Sequence, residues 1–171
     1  MDEEKIGKER QEYLASLPEY YDFYMSGLNI RLLHASPKSM YNSINIYNIT
    51  ENINNEIEEM FADINGIVPN VVIFGHIHSP FMYRLDNKML INTGSVSNSC
   101  DIVTKNNETN LMSSYLIIEG EYNSKEVASI SYEIVRLPYE YEKEIENLKN
   151  SDMPNKEMAI DEIITGIYKA R

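Results

Sequence analysis

The 171-residue chain has one cysteine, no tryptophan, seven glycines and three histidines. Each scarcity excludes something. Cys100 has no mate for an internal disulfide, which fits a reducing compartment, and the expected location is the cytoplasm. No histidine lies near it in sequence, so it reads as an inert thiol rather than a nucleophile. Nowhere do eighteen apolar residues run together, so no segment reads as a membrane span. The charged opening Met1-Asp2-Glu3-Glu4-Lys5 leads into no apolar stretch, and no secretory leader is expected. Basic residues number 15 against 27 acidic ones, for a net charge of −12. The Lys and Arg are scattered, which argues against a grip on a nucleic-acid duplex. A phosphorylated substrate stays open, because a bound cation reverses the local field.

What is present points to a folded protein. Hydrophobic residues make up 43%, and the length suits a single domain over residues 1–171. A stripe of Ile6, Tyr13, Leu14 and Leu17 predicts a helix over 2–17, stopped by Pro18. Strands are expected over 19–25 and 29–33, with Ser26-Gly27 turning between them. A long polar loop follows over 35–50. Ile53, Ile57, Met60, Phe61 and Ile64 predict a helix over 51–64, capped by Thr50 or Asn52. The continuous apolar run 71–74 reads as a buried strand. Short strands are expected over 81–85, 89–91, 115–118 and 129–136, and a polar turn over 106–110. Helices are expected from Tyr139, carrying Tyr141, Ile145 and Leu148, and over 156–168 after Pro154. Strands with flanking helices around one core give an α/β (α+β) class.

The three histidines carry the chemistry. His34 follows the run 29–33, and His76 and His78 follow the run 71–74, with Gly75 permitting a sharp exit. Ligand sites in such sheets collect beyond the carboxyl ends of the strands. In an extended segment, residues two apart project to one side. The imidazoles of His76-Ile77-His78 can therefore address one metal or two adjacent ones, and imidazole suits Zn, Fe, Ni and Cu, or Mn with added carboxylates. Ser36, beside His34, and Asn92-Thr93-Gly94-Ser95 offer small residues through which backbone N–H groups approach an anion.

The order Leu17-Pro18, His34-Ala35-Ser36-Pro37, Gly75-His76-Ile77-His78, Asn92-Thr93-Gly94-Ser95-Val96 resembles the second half of a calcineurin-like metallophosphoesterase of the small bacterial and archaeal phosphodiesterase branch. The tail, Leu137-Pro138-Tyr139 through Met153-Pro154, is similar to the end of that branch. The resemblance implies a partial β-sandwich flanked by helices. It implies a centre of two divalent ions (Mn, Fe, Zn, Ni or Co), with His34 and His76 on one and His78 on the other. Ser36, Gly75, Asn92, Gly94 and Ser95 would form the loops around it. The substrate would be a small-molecule phosphate ester or a nucleotide.

The chain departs from the pattern in two ways. Ala35 stands where the family often has Gly, and Thr93 where it often has Pro. More seriously, no Asp-x-His, Gly-Asp or Gly-Asn-His motif precedes His34. The chain thus reads as the C-terminal portion of the family's domain, about the first third of which would lie elsewhere. Neutral imidazoles cannot offset two adjacent divalent ions. Asp86 and Asp101 are the nearest carboxylates in sequence, and their spacing favours neither. With every histidine assigned to metal, no general acid or other catalytic residue is visible. The expectation is part of a metal-dependent phosphodiesterase or phosphatase, inactive alone and completed by an N-terminal half or a second copy of the chain. The alternatives are a catalytically inactive interaction scaffold and a plain zinc-binding domain.

Overall fold

The computed structural model describes residues 6–42, 44, 53–99 and 111–167. The cap residues Thr50 and Asn52, the turn 106–110, Cys100, Asp101 and Tyr168 lie outside them, as do residues 1–5.

In chain order the elements are α1 (Lys8–Ser16), β1 (Tyr20–Met25), β2 (Leu28–Leu33), α2 (Ile53–Met60), β3 (Val71–Phe74), β4 (Phe81–Leu85), β5 (Lys88–Asn92), β6 (Met112–Gly120), β7 (Ile130–Pro138), α3 (Tyr141–Lys149) and α4 (Lys156–Thr165). The first five strands form one sheet in the order β1-β2-β3-β5-β4, and β6 and β7 pair as a second. β1–β2 and β4–β5 are antiparallel hairpins. The three central strands run parallel, with Leu33 opposite Phe74 and Phe74 opposite Asn92. Their carboxyl ends therefore share one edge of the sheet.

Side-chain alternation builds two cores. Val71 and Ile73 face one way and join Met25, Ile30 and Ile91. Leu116 and Ile118 of β6, with Ile130 and Tyr132 of β7, pack on that face. Val72, Phe74 and Leu90 face the other way and meet Ile57, Met60 and Phe61 of α2 and its end. A central mixed sheet is thus covered by a β-ladder on one face and a helix on the other, as the α/β (α+β) expectation requires.

Arg31 lies on the helix-covered face, fully buried. Its guanidinium donates twice to Asp22, each at 2.7 Å. It also donates to the carbonyls of Ala62 at 2.7 Å and Ile67 at 3.1 Å. The charge is thus paired, and its donors tie β1 and the segment behind α2 to β2.

Three expected boundaries need correction. The helix expected over 2–17 is interrupted at Gly7 (φ 78°) and runs beyond it from Lys8 to Ser16, residues 2–5 lying outside the described ones; its stripe is not buried by the described residues: Tyr13, Leu14 and Leu17 are 64%, 53% and 48% exposed. The helix expected to reach Ile64 stops at Met60. Asn65 and Gly66 both take positive φ, and Ile64 and Ile67 exchange backbone hydrogen bonds across them. That Asn-Gly turn claims Ile64 for a hairpin. The helix expected over 156–168 ends at Thr165, because Gly166 enters the left-handed region (φ 63°) and its N–H closes on the Glu162 carbonyl at 2.8 Å.

Candidate metal centre

The parallel register brings the sequence-distant histidines together. Leu33 and Phe74 are paired, so His34 and Gly75 are the next residues out of their strands. His76 then turns sharply, with φ at 82°. Its Nδ1 lies 3.2 Å from Nε2 of His34. The two rings meet edge to face, their centroids 5.2 Å apart. Gly75 packs beside the His34 ring: a Cβ there would meet Nδ1 of His34 at an ordinary contact distance of 3.7 Å. His34 is exposed and His76 and His78 are half-buried.

The pKa of His76 is lowered, first by desolvation, then by the charges of His34 and His78. A lowered pKa keeps the ring neutral at pH 7, the form that ligates metal. Two nitrogens on one tetrahedral Zn²⁺, each about 2.0–2.1 Å from the ion, sit roughly 3.3 Å apart. The observed separation fits that edge. Without metal, the same distance is a hydrogen bond between the rings. Among the described residues, no three His, Cys, Asp or Glu side chains converge closely enough to hold an ion. Asp86 sits in the β4–β5 turn, at the end of the sheet away from His76.

The loop after β5 closes against the histidine loop. Thr93 N–H donates to the Phe74 carbonyl at 3.1 Å. Asn92, fully buried, donates from Nδ2 to the Gly75 carbonyl at 3.3 Å and accepts from Gly94 N–H at 2.9 Å. Ser95 N–H is held by the Ser114 hydroxyl at 3.2 Å, and Ser95 Oγ accepts from Asn98 N–H at 3.1 Å. The Gly94 and Ser95 amides thus brace the loop in this structure instead of facing an anion. Ser36 pairs with Ser39 through backbone and hydroxyl. It also lines a cavity of about 440 Å³ beside His34, with Tyr20, Leu33, Lys38 and Met40. Ser114, which lies on the other sheet, stands in no motif that would have singled it out.

No family profile matches the sequence, and no curated protein matches it. Solved structures do match the fold. The hypothetical protein PH1004 from Pyrococcus horikoshii superposes with a TM-score of 0.63 at 15% identity, over 97% of this chain and 57% of its own. A metallophosphoesterase from Sphaerobacter thermophilus gives 0.59 at 16% identity, over 96% of this chain and 65% of its own. The chain thus shares its fold with that metallophosphoesterase and with the hypothetical protein. The chain spans less than two thirds of either structure. No helix among the described residues is long and apolar enough to cross a membrane.

Proposed function

We propose that the edge carrying His34, His76 and His78 holds a divalent metal and is the imidazole half of a phosphate-ester hydrolase site. The observation that carries the reading is the 3.2 Å approach of His34 Nε2 to His76 Nδ1 at the carboxyl ends of two parallel strands. A bound divalent ion supplies Lewis-acid stabilisation of charge on a phosphoryl group. The chain's own part is to present neutral rings, hold them at ligand spacing through the β2–β3 register, and fix their loop with Asn92. The carboxylate ligands are supplied by polypeptide beyond the described residues, an N-terminal complement being the first choice and a second copy the next. Mn, Fe, Zn, Ni and Co all suit the donor set, and the substrate class is a small phosphodiester, phosphomonoester or nucleotide.

The test is zinc and manganese binding by the purified chain, followed by hydrolysis of an aryl phosphodiester with and without an N-terminal complement. The expected result is metal bound through the histidines, with turnover only in the completed assembly. Metal binding without turnover in the completed assembly favours the inactive scaffold. A chain whose metal affinity is the same with His34 and His76 both replaced by alanine overturns the site.

A further inference from the structure

We infer that Ser114, on the second sheet, is a positioning residue for His76; the inference rests on the metal-site reading above. Ser114 is 2% exposed. Its hydroxyl donates to the Thr93 carbonyl at 2.8 Å and accepts from Ser95 N–H at 3.2 Å. Its backbone N–H donates to the Ser95 carbonyl at 2.8 Å. A Cβ on Gly94 would fall 2.2 Å from the Ser114 hydroxyl, so Gly94 (φ 75°) is shaped around that oxygen. One buried side chain therefore grips the loop from both sides of Gly94.

The loop passes this constraint on. Gly94 N–H holds Asn92 Oδ1, and the other end of the same amide holds the Gly75 carbonyl, one residue before His76. His76 keeps a φ of 82° that L-residues rarely adopt. Such a conformation persists only where its surroundings over-determine it. The path Ser114–Gly94–Asn92–Gly75 supplies that constraint, and it makes the β6–β7 ladder a part of the metal edge as well as a cover for the core. Removing the hydroxyl leaves the Thr93 carbonyl and the Ser95 amide without their partner and slackens the path, while the ladder's backbone pairing stays.

The experiment compares Ser114→Ala with Ser131→Ala, the same change at an exposed site on β7, where the hydroxyl donates to Glu119. The ring resonances of His34 and His76 are read by NMR in the metal-free chain, and zinc affinity by chelator competition. Ser114→Ala is expected to shift or broaden the His76 ring signals without metal and to weaken zinc about 10–100-fold, the range of changes behind a ligand. Ser131→Ala is expected to do neither. If Ser114→Ala fails to fold, Ser114→Cys, which keeps a weaker donor and acceptor, is read in the same way and is expected to move the His76 signals less. His76 signals in the folded Ser114 variant that match those of Ser131→Ala overturn the positioning role. Wild-type protein that binds no zinc through its histidines overturns the metal site instead, and the metal-free His76 signals still decide the role of Ser114.

Discussion

The two ends of the central sheet use the same backbone conformation for different ends. At one end, Ser26 and Gly27 take φ of 50° and 84° between β1 and β2. Both positive values make the tight turn whose twist suits an antiparallel hairpin. The Ser26 hydroxyl donates to the Ser129 carbonyl at 2.8 Å and accepts from Glu121 N–H at 2.9 Å. At the other end, Ala35 and His76 take φ of 60° and 82° just past parallel strands, where no hairpin turn requires it. The first end is shaped by chain reversal. The second is held by neighbours and carries the imidazoles. Left-handed backbone outside a tight turn marks the edge to examine for chemistry.

Substitutions at either end test the contrast. The largest effect expected is on metal: His34→Ala and His76→Ala should each weaken zinc more than 100-fold, roughly 2.8 kcal/mol by the tenfold-per-1.4 relation. Equilibrium dialysis against a chelator reads it, and wild-type affinity in both variants would erase the distinction between the ends. Next, Gly27→Ala should lose about 1–2 kcal/mol in urea unfolding. A Cβ there would press the Val127 backbone at 3.1 Å in a left-handed turn. Zinc affinity should not move.

A smaller effect separates His76→Gly from His76→Ala. Both lack the ring, and only alanine keeps the strained backbone. The glycine variant should be the more stable by about 1 kcal/mol, reversing the usual order of the two residues. An equal or lower urea midpoint for glycine would mean that the backbone at His76 is relaxed.

The smallest effect is a pH slope. The folded chain lowers the pKa of His76 below 6.5, so the unfolded chain takes up its proton first as pH falls. Stability from this group should therefore decline from pH 6.5 downwards and level off below the folded pKa. In EDTA, the wild type should lose more stability between pH 7.5 and 5.5 than His76→Asn. Equal losses would remove the desolvation and the charged neighbours from the account.

The strands and their junctions with the histidines were legible because the apolar runs are short and end at Gly, Pro or His. Val71–Phe74 is buried at every position, as a strand covered on both faces should be. The meeting of His34 with His76 was legible only as an inference from strand ends, because the parallel register is set by tertiary pairing. Arg31 was invisible as a core residue, since a lone Arg in a strand reads as solvent-facing; its partners are Asp22 on β1 and the carbonyls of Ala62 and Ile67 in the connection after α2. The stripe on α1 misled because periodicity reports which face is apolar and not whether anything covers it. Ser114 carries no local signal, since its role depends on a loop some twenty positions earlier in the chain.

The pairing of Leu33 with Phe74 also bears on how the chain reaches its native form. Sliding β3 by one position would move His76 about 3.3 Å along the strand and turn each β3 side chain to the opposite face. The two imidazole nitrogens could then no longer share an ion. A cation that bound only the correctly threaded sheet would stabilise that arrangement over its slipped competitors by mass action, so the contact proposed to serve chemistry would also proofread the topology.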